Sequence, residues 1–203
     1  MTATSPEVTL YLVRHGESEA NAARIFAGQT DSPLTERGRR QAEAVAETLA
    51  PIRFDRVVSS DLSRCRDTAE AIARRQGLAV EIFPELREID VGEAAGRAFD
   101  ELKGLPAWTD GAFVRWPGGE SLEQVLTRVT ATIDRIVSAS PGRTVCVVGH
   151  GGVTRILVSH YLGLLPRLDR SPATNTNITV ISTDGLTYRV ERLFGADHLD
   201  TGT

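Results

Sequence analysis

Short apolar runs alternate along the chain with longer segments in which apolar residues recur every three or four positions. The runs predict strands at 8–13, 56–60, 78–83 and 144–149. The longer segments predict four helices. The first begins near the N-cap candidate Thr35, and the second runs from about 61 to 76 and ends at Gly77. The third covers 122–137, and the fourth starts at Gly151. Strands that alternate with helices favour a mostly parallel sheet with helices on both faces, with the run TVCVVG at its centre.

Two features near the end and the middle of the chain add to this picture. Segments 177–183 and 186–193 flank Asp184-Gly185, a pair that favours an antiparallel hairpin. The segment 92–119 is rich in glycine, proline and aromatic residues, and we interpret it as a cap insertion over the sheet. The predicted fold is therefore α/β, a three-layer α/β/α arrangement with a mostly parallel sheet, an antiparallel C-terminal hairpin and a small cap.

The composition adds limits on size, partners and location. With 203 residues, 41% of them hydrophobic, residues 1–203 are expected to form a single domain. The net charge of −4 gives no general attraction to nucleic acid or to anionic membranes. Cys65 and Cys146 lie outside any CxxC spacing, and no apolar run approaches transmembrane length. We expect a soluble, cytoplasmic protein with no nucleic-acid or membrane partner, and a homodimer is left open.

Polar side chains follow four of the predicted elements at the point where strands end. Ligands of open α/β sheets bind beyond the carboxyl ends of the strands. Each of these residues has an ordinary structural explanation when it is taken alone, such as an ion pair of Glu88 with Arg87 or Arg97. Their placement at one sheet edge favours an active site. The residues are His15, Ser59, Ser60, Arg64, Glu88 and His150.

Six motifs between Leu10 and Gly152 carry a resemblance to a known family. They are RHGES with Asn21, GQTDSPLTERGRRQA, SSDLSRCRDTA, LREIDVG, PGGES and VVGHGG. In order and spacing they resemble the histidine phosphatase superfamily, in its phosphoglycerate-mutase-like branch. The resemblance implies that His15 is the nucleophile, that Arg14, Arg64 and His150 bind the phosphoryl group, and that Glu88 donates a proton. Asn21, Gln29, Thr30 and Gly151, within the same motifs, complete the candidate substrate-binding set.

The chemistry of phosphate esters is consistent with these roles. Fixed positive charge must surround the phosphoryl oxygens, and Arg14 and Arg64 supply planar, always charged donors. Nearby cations disfavour the protonated form of His15, which must be neutral to attack and form a phosphohistidine. An alkoxide is a poor leaving group, so an acid such as Glu88 is needed, and Glu93 is a minor alternative.

Other phosphatase chemistries leave no trace in the sequence. The arginine that a cysteine phosphatase needs after its cysteine is missing, because Ala71 and Gly152 occupy the matching positions. There is no GxxxxGK[ST] loop for a nucleotide and no DxD or HxxxH cluster for a metal. The sequence therefore predicts catalysis without metal or cofactor. His198 matches no catalytic motif and is expected at the surface.

The sequence favours a phosphatase over its alternatives. Mutases of this branch have a longer lid that excludes water, whereas here the cap is short and its basic residues are Arg97, Lys103 and Arg115. A non-catalytic phospholigand-binding module is disfavoured because both His15 and Glu88 are present. The family's W-E-G pattern is replaced by GEAAG, which leaves substrate preference open.

The substrate is expected to be a small-molecule phosphate ester. Ile25, Phe26 and the aromatic residues of the cap hint at a partly apolar leaving group, such as an alkyl, aryl or nucleoside phosphate.

Overall fold

The computed structural model describes residues 6–102, 115–169, 171 and 173–199 and contains a six-stranded sheet. The strands are β1 (Val8–Arg14), β2 (Arg56–Ser59), β3 (Val80–Ile82), β4 (Thr144–Gly149), β5 (Ile178–Thr183) and β6 (Tyr188–Gly195). The helices are α1 (Glu19–Ala22), α2 (Glu36–Leu49), α3 (Ser63–Gln76), α4 (Leu122–Ser138) and α5 (Gly151–Tyr161). Short 3₁₀ segments occupy Pro84–Leu86, Gly92–Ala94, Phe99–Leu102 and Asp197–Leu199.

The strand order β3-β2-β4-β1-β5-β6 places β4 and β1 at the centre of the sheet. Strands β1 to β4 pair in parallel, and β5 and β6 are antiparallel. The predicted α/β class, the mostly parallel sheet and the C-terminal hairpin are confirmed. The register sets Arg14 beside Gly149 and Ser59 beside Val148, so β1, β2 and β4 end at one edge. The residues that follow these strands must therefore meet.

Side chains of β4 alternate between two apolar cores, one on each face of the sheet. Val145 and Val147 belong to the core that includes residues of α4 and α5. Cys146 and Val148 belong to the core that includes residues of α2 and α3. Helices therefore cover both faces, as in the predicted three-layer arrangement, and the strand between them is apolar along its length.

The ends of α2 and α3 show which boundaries are set locally. Thr35 caps α2 as predicted, and Gly77 ends α3 in the left-handed conformation at φ 67°. The helix α3, predicted to start at about Asp61, starts at Ser63. The Asp31 carboxylate accepts the backbone N–H of Ser63 at 2.9 Å and its hydroxyl at 2.8 Å, so the first turn forms there. The cap comes from a distant loop that the local pattern does not reveal.

The described part of the predicted cap packs beside the loop that follows α1. Phe26 and Arg97 are joined by a backbone hydrogen bond of 3.0 Å, and Trp116 is buried. Residues 103–114, which include two of the predicted cap aromatics, lie outside the described residues. The prediction of a single domain over residues 1–203 stays a prediction.

The expectation that His198 lies at the surface is wrong. The last 3₁₀ segment brings this side chain back onto the fold, where its Nε2 lies 2.9 Å from Thr176 Oγ1, and the residue is buried. Elsewhere in the described ranges, no helix combines the length and hydropathy that crossing a bilayer requires.

Candidate active site

A cavity of about 280 Å³ lies where β1, β2 and β4 end. Its wall contains charged, polar and apolar side chains. The polar and charged members are Arg14, His15, Ser18, Asn21, Arg64, Glu88 and Arg155. The wall also includes apolar residues and glycines, among them Ile25, Phe26, Gly28, Ile89, Val91, Phe99, Trp116, Gly151 and Gly152.

His15 directly follows β1, and its ring is oriented by its own neighbour. The ring atom Nδ1 lies 2.6 Å from the carbonyl oxygen of Gly16, which can only accept a hydrogen bond. In the neutral ring the hydrogen therefore sits on Nδ1, and Nε2 carries the free lone pair. Burial, together with the charges of Arg14 and Arg64, holds the pKa of His15 well below its usual value. The ring is thus neutral at neutral pH, with an unprotonated Nε2.

Two arginines beside His15 are held by backbone carbonyls. Arg64 is almost fully buried and donates to Gly28 O at 2.8 Å and to Thr30 O at 3.0 Å. Arg14 donates to the carbonyl of Ala173. Burial lowers the pKa of Arg14, although the nearby Glu88 opposes this effect, and an arginine remains charged at any relevant pH. These guanidinium groups fit the charge of a phosphoryl group.

Gly151 allows the Arg14 guanidinium to lie against α5. A Cβ at this position would come within 3.2 Å of Arg14 Nε. A larger side chain at the first residue of the helix would therefore press against the Arg14 guanidinium. The predicted role of Gly151 in substrate binding stays a prediction.

His150 follows β4 and is completely buried beside His15. The centroids of the two rings are 5.3 Å apart, and His150 Nε2 lies 3.0 Å from Ser60 Oγ and 3.3 Å from Cys65 Sγ. Burial, followed by the charge of Arg64, holds the pKa of His150 well below its usual value. His150 itself is not among the residues of the cavity wall, so its predicted contact with the phosphoryl group stays a prediction.

Glu88 reaches the cavity from the loop after β3. Its Oε1 accepts the backbone N–H of Ile89 at 3.0 Å and of Val153 at 3.2 Å, and its Oε2 accepts that of Gly152 at 3.1 Å. The N–H groups of a first helical turn have no partner within the helix, and they attract a negatively charged group. A Cβ on Gly152 would lie 2.6 Å from Glu88 Oε1, so a larger residue here would displace the carboxylate from its present position.

Glu88 does not form the ion pairs that offered an ordinary explanation for it. Arg87 binds Asp61 at 2.7 Å, and Arg97 lies 3.4 Å from Glu101. Glu93, the alternative acid, is exposed and is not part of the cavity wall.

The other predicted binding residues occupy two different positions. Asn21 lines the cavity; its Oδ1 accepts hydrogen bonds from Ser18 N and Asn175 Nδ2, which leaves Nδ2 for a ligand. Gln29 Nε2 instead donates to Glu88 O at 3.2 Å, and Thr30 contributes the carbonyl that binds the Arg64 side chain. The latter two lie outside the wall, and their substrate contacts stay predictions.

Arg155 is a charged wall residue that the sequence analysis missed. Its Nη1 donates to Asp169 O at 2.7 Å and its Nη2 to Ser171 O at 2.9 Å. It lies in α5 beyond the last recognised motif. Its spacing of four residues from Gly151, which places both on one helix face, is the signal that could have revealed it.

Aromatic rings form another part of the wall. The ring of Phe26 lies 4.5 Å from that of Phe99 and 5.2 Å from that of Trp116, between centroids, in edge-to-face contacts. Ile25 and Phe26 line the cavity as expected. Within the described ranges, no group of three or more His, Cys, Asp or Glu side chains is placed to hold a metal ion.

Comparison with known proteins agrees with the motifs and the geometry. The model of the histidine phosphatase superfamily (branch 1) matches residues 10–195. The chain belongs to this superfamily. The resemblance drawn from the six motifs is thereby confirmed.

Individual members of the histidine phosphatase superfamily carry different activities in their names. The probable phosphoglycerate mutase GpmB of Cronobacter sakazakii is 40% identical over 167 residues, which cover 76% of this chain and 75% of the relative. The structure of a mycobacterial glucosyl-3-phosphoglycerate phosphatase with VO3 matches at a TM-score of 0.83 and 30% identity, over 93% of this chain and 99% of the other. A phosphoserine phosphatase of Entamoeba histolytica, in complex with 3-phosphoglyceric acid, matches at a TM-score of 0.82 and 26% identity, over 95% of this chain and 99% of the other.

Proposed function

We propose that the protein hydrolyses small-molecule phosphomonoesters, without a metal ion, through a phosphohistidine at His15. The observation that carries this proposal is the orientation of the His15 ring. Its Nδ1 hydrogen is held by the Gly16 carbonyl, and burial, with the charges of Arg14 and Arg64, lowers its pKa and keeps Nε2 unprotonated. A neutral imidazole beside fixed cations suits nucleophilic attack on a phosphate dianion.

The reaction then runs in two balanced steps. His15 Nε2 forms a bond to phosphorus while the bond from phosphorus to the ester oxygen breaks, and Glu88 gives its proton to that oxygen. Water next attacks the phosphohistidine, Glu88 takes a proton from the water, and the N–P bond breaks to release inorganic phosphate. Arg14 and Arg64 stabilise the charge on the phosphoryl oxygens in both steps.

The first experiment looks for the covalent intermediate. Rapid mixing of enzyme with a ³²P-labelled alkyl phosphate, followed by an alkaline quench, should trap an acid-labile phosphoprotein. His15→Ala should abolish it, whereas His160→Ala, which removes an exposed histidine, should not. Full activity in a folded His15→Ala protein would falsify the assignment.

A second experiment tests independence from metal. Exhaustive dialysis against a chelator should leave kcat/KM for the same ester unchanged within about twofold. Loss of activity that a divalent cation restores would contradict the histidine mechanism.

Phosphoglycerate mutase activity is the second candidate, because relatives at 38% to 40% identity bear that name. A mutase returns the phosphoryl group from the histidine to a sugar acid instead of to water. Incubation with 3-phosphoglycerate separates the two, since a hydrolase releases inorganic phosphate and a mutase forms 2-phosphoglycerate. We expect phosphate release to be the faster process.

A further inference from the structure

The backbone of His15 is held on both sides by neighbouring segments. Its N–H donates to the carbonyl oxygen of Gly149 at 3.0 Å. Its own carbonyl oxygen accepts hydrogen bonds from Asn175 Nδ2 at 3.1 Å and from the backbone N–H of Thr176 at 3.3 Å. The peptide group that carries this carbonyl is planar, so the two donors fix its orientation. The Gly16 carbonyl, which orients the His15 ring, belongs to the next peptide group along the chain.

The turn formed by residues 174–177, here called the support turn, also holds two other residues of the cavity wall. Asn175 Nδ2 donates to Asn21 Oδ1 at 3.0 Å. The carbonyl oxygen of Asn177 accepts the backbone N–H of Arg14 at 3.1 Å. The support turn itself lies outside the wall, so it can act on a ligand only through the residues that it holds.

The support turn has an unusual backbone conformation at Thr176. The φ of this residue is 59°, in the left-handed region, and the turn is closed by a hydrogen bond of 3.3 Å from Asn177 N to Thr174 O. Turns with a positive φ at the third position normally have glycine or asparagine there, because a β-branched residue is strained in this region. Such a conformation persists only where the surrounding contacts determine it.

His198 supplies one of these contacts from the last 3₁₀ segment. Thr176 Oγ1 lies 2.7 Å from the carbonyl oxygen of Asn175, which can only accept, so the hydroxyl hydrogen is used there. His198 Nε2, at 2.9 Å from the same Oγ1, must therefore be the donor in its contact with Thr176. Burial lowers the pKa of His198, so at pH 7.5 the ring is neutral and its single hydrogen lies on Nε2.

We infer that His198 is a positioning residue for the nucleophile. Its hydrogen bond to Thr176 maintains the support turn, and the support turn fixes the His15 carbonyl and the Asn21 side chain. The His15 ring is thereby kept in the orientation that leaves Nε2 for attack, although His198 touches neither the ring nor the substrate. This inference rests on the proposed function, because the position of the ring affects catalysis only if His15 attacks phosphorus.

The direct readout is the tautomer of His15. In protein labelled with ¹⁵N in its histidine rings, the chemical shifts of the two ring nitrogens report which one carries the hydrogen. The signals of His15 are assigned by their absence in His15→Gln. At pH 7.5 the wild-type ring should carry the hydrogen on Nδ1 alone. His198→Phe should show a mixture of both tautomers, because the Gly16 carbonyl no longer holds that hydrogen.

The second readout is single-turnover phosphorylation of His15. His198→Phe keeps a ring but removes the donor, and it should slow this step about tenfold or more, since a displaced nucleophile attacks poorly. The loss should be equal for an alkyl phosphate and for p-nitrophenyl phosphate, because the attack is impaired and not the departure of the leaving group. His198→Gln, whose Nε2 can still donate, should remain within about threefold of wild type. His160→Phe, at an exposed histidine, is the matched control.

A double-mutant cycle tests the route through Thr176. Thr176→Val removes the hydroxyl group at nearly the same size, and it should reproduce both the tautomer mixture and the slower phosphorylation of His198→Phe. In the double variant the two losses should not add, because each substitution removes the same hydrogen bond. Thr176→Ser retains the hydroxyl group and should retain the wild-type tautomer. If His198→Phe fails to fold, Thr176→Val decides the question by the same two readouts.

Two results would overturn the inference. One is a folded His198→Phe protein in which His15 keeps either the wild-type tautomer or the wild-type rate of phosphorylation. The other is a His198→Gln protein that loses as much as His198→Phe in both readouts, which would mean that the hydrogen bond to Thr176 is not what matters. If the wild-type protein formed no phosphohistidine, the proposed function would fail. The tautomer measurement needs no substrate, so it would then still decide whether His198 positions the His15 ring.

Discussion

At the residue scale, Glu88 is the one acidic side chain that the described residues contribute to the cavity wall. If it protonates the leaving oxygen, its importance must depend on how much that oxygen needs a proton. A p-nitrophenolate leaves readily without one, whereas an alkoxide does not. We expect Glu88→Gln to slow phosphorylation of His15 by an alkyl phosphate on the order of 100-fold or more, and by p-nitrophenyl phosphate less than tenfold.

The Glu88 prediction requires single-turnover measurement, since in the proposed mechanism Glu88 also acts in the later hydrolysis step that all esters share. Glu93→Gln is the control, because this neighbouring carboxylate is exposed. Equal losses for both esters in Glu88→Gln would assign the proton to another group, with Glu93 the first to examine.

Two glycines near the cavity allow a second prediction at this scale. Ala at position 152 would place its Cβ 2.6 Å from Glu88 Oε1 and displace the carboxylate, whereas the space around Gly149 is open to 4 Å. Gly152→Ala should therefore reproduce the leaving-group dependence of Glu88→Gln, with a loss on the order of 10- to 100-fold for alkyl esters. Gly149→Ala should retain activity with both esters. A loss of activity with alkyl esters alone in this variant would contradict the expectation that a Cβ at position 149 is accommodated.

At the scale of elements, the sequence predicts the end of a helix or the position of a strand correctly where the residues that set it lie within or next to that element. Thr35 and Gly77 set helix ends through their own side chain and backbone, and β4 is apolar on both faces. The start of α3 is set by Asp31 in a distant loop. Arg155 was missed for a similar reason, because its spacing from Gly151 places it on one helix face but does not show where α5 packs.

The contacts of Arg128 likewise depend on how its helix, α4, packs. This side chain joins the helix to the loop that carries Glu88. Its Nη1 donates to Arg87 O at 2.9 Å, its Nη2 lies 3.4 Å from Glu88 O, and its Nε and Nη2 form a two-point ion pair with Glu120. We expect Arg128→Met to loosen Glu88 and to slow alkyl esters on the order of 10- to 100-fold, with little effect on p-nitrophenyl phosphate.

The matched control for Arg128 is Arg135→Met, which lies on the same helix and forms an exposed pair with Glu85. In a double-mutant cycle, Arg128→Met should add no further selectivity to Glu88→Gln. Equal slowing of both esters would identify Arg128 as a purely structural residue.

At the scale of the whole molecule, the buried histidines link the active site to stability. Burial holds the pKa values of His15 and His150 well below 6.5, the value each would have in the unfolded chain. Below about pH 6.5 the unfolded chain therefore binds protons that the folded protein does not, and the free energy of unfolding falls as the pH falls. The slope is at most about 1.4 kcal/mol per pH unit for each histidine.

Urea unfolding at pH 7.5 and pH 5.5 measures this loss, which should approach about 3 kcal/mol for the two residues together. His198, whose pKa burial also lowers, adds to it in the same direction. In His15→Gln the difference in the free energy of unfolding between pH 7.5 and pH 5.5 should be smaller by about the contribution of one histidine. The reason is that glutamine binds no proton in the unfolded chain. Replacement of exposed His160 by glutamine controls for the loss of a histidine as such.

The difference in the free energy of unfolding between the two pH values could also be as large in His15→Gln as in wild type. This result would mean that the His15 ring of the wild-type protein is protonated in the folded state at pH 5.5. The neutral nucleophile on which the proposed mechanism depends would then be confined to higher pH.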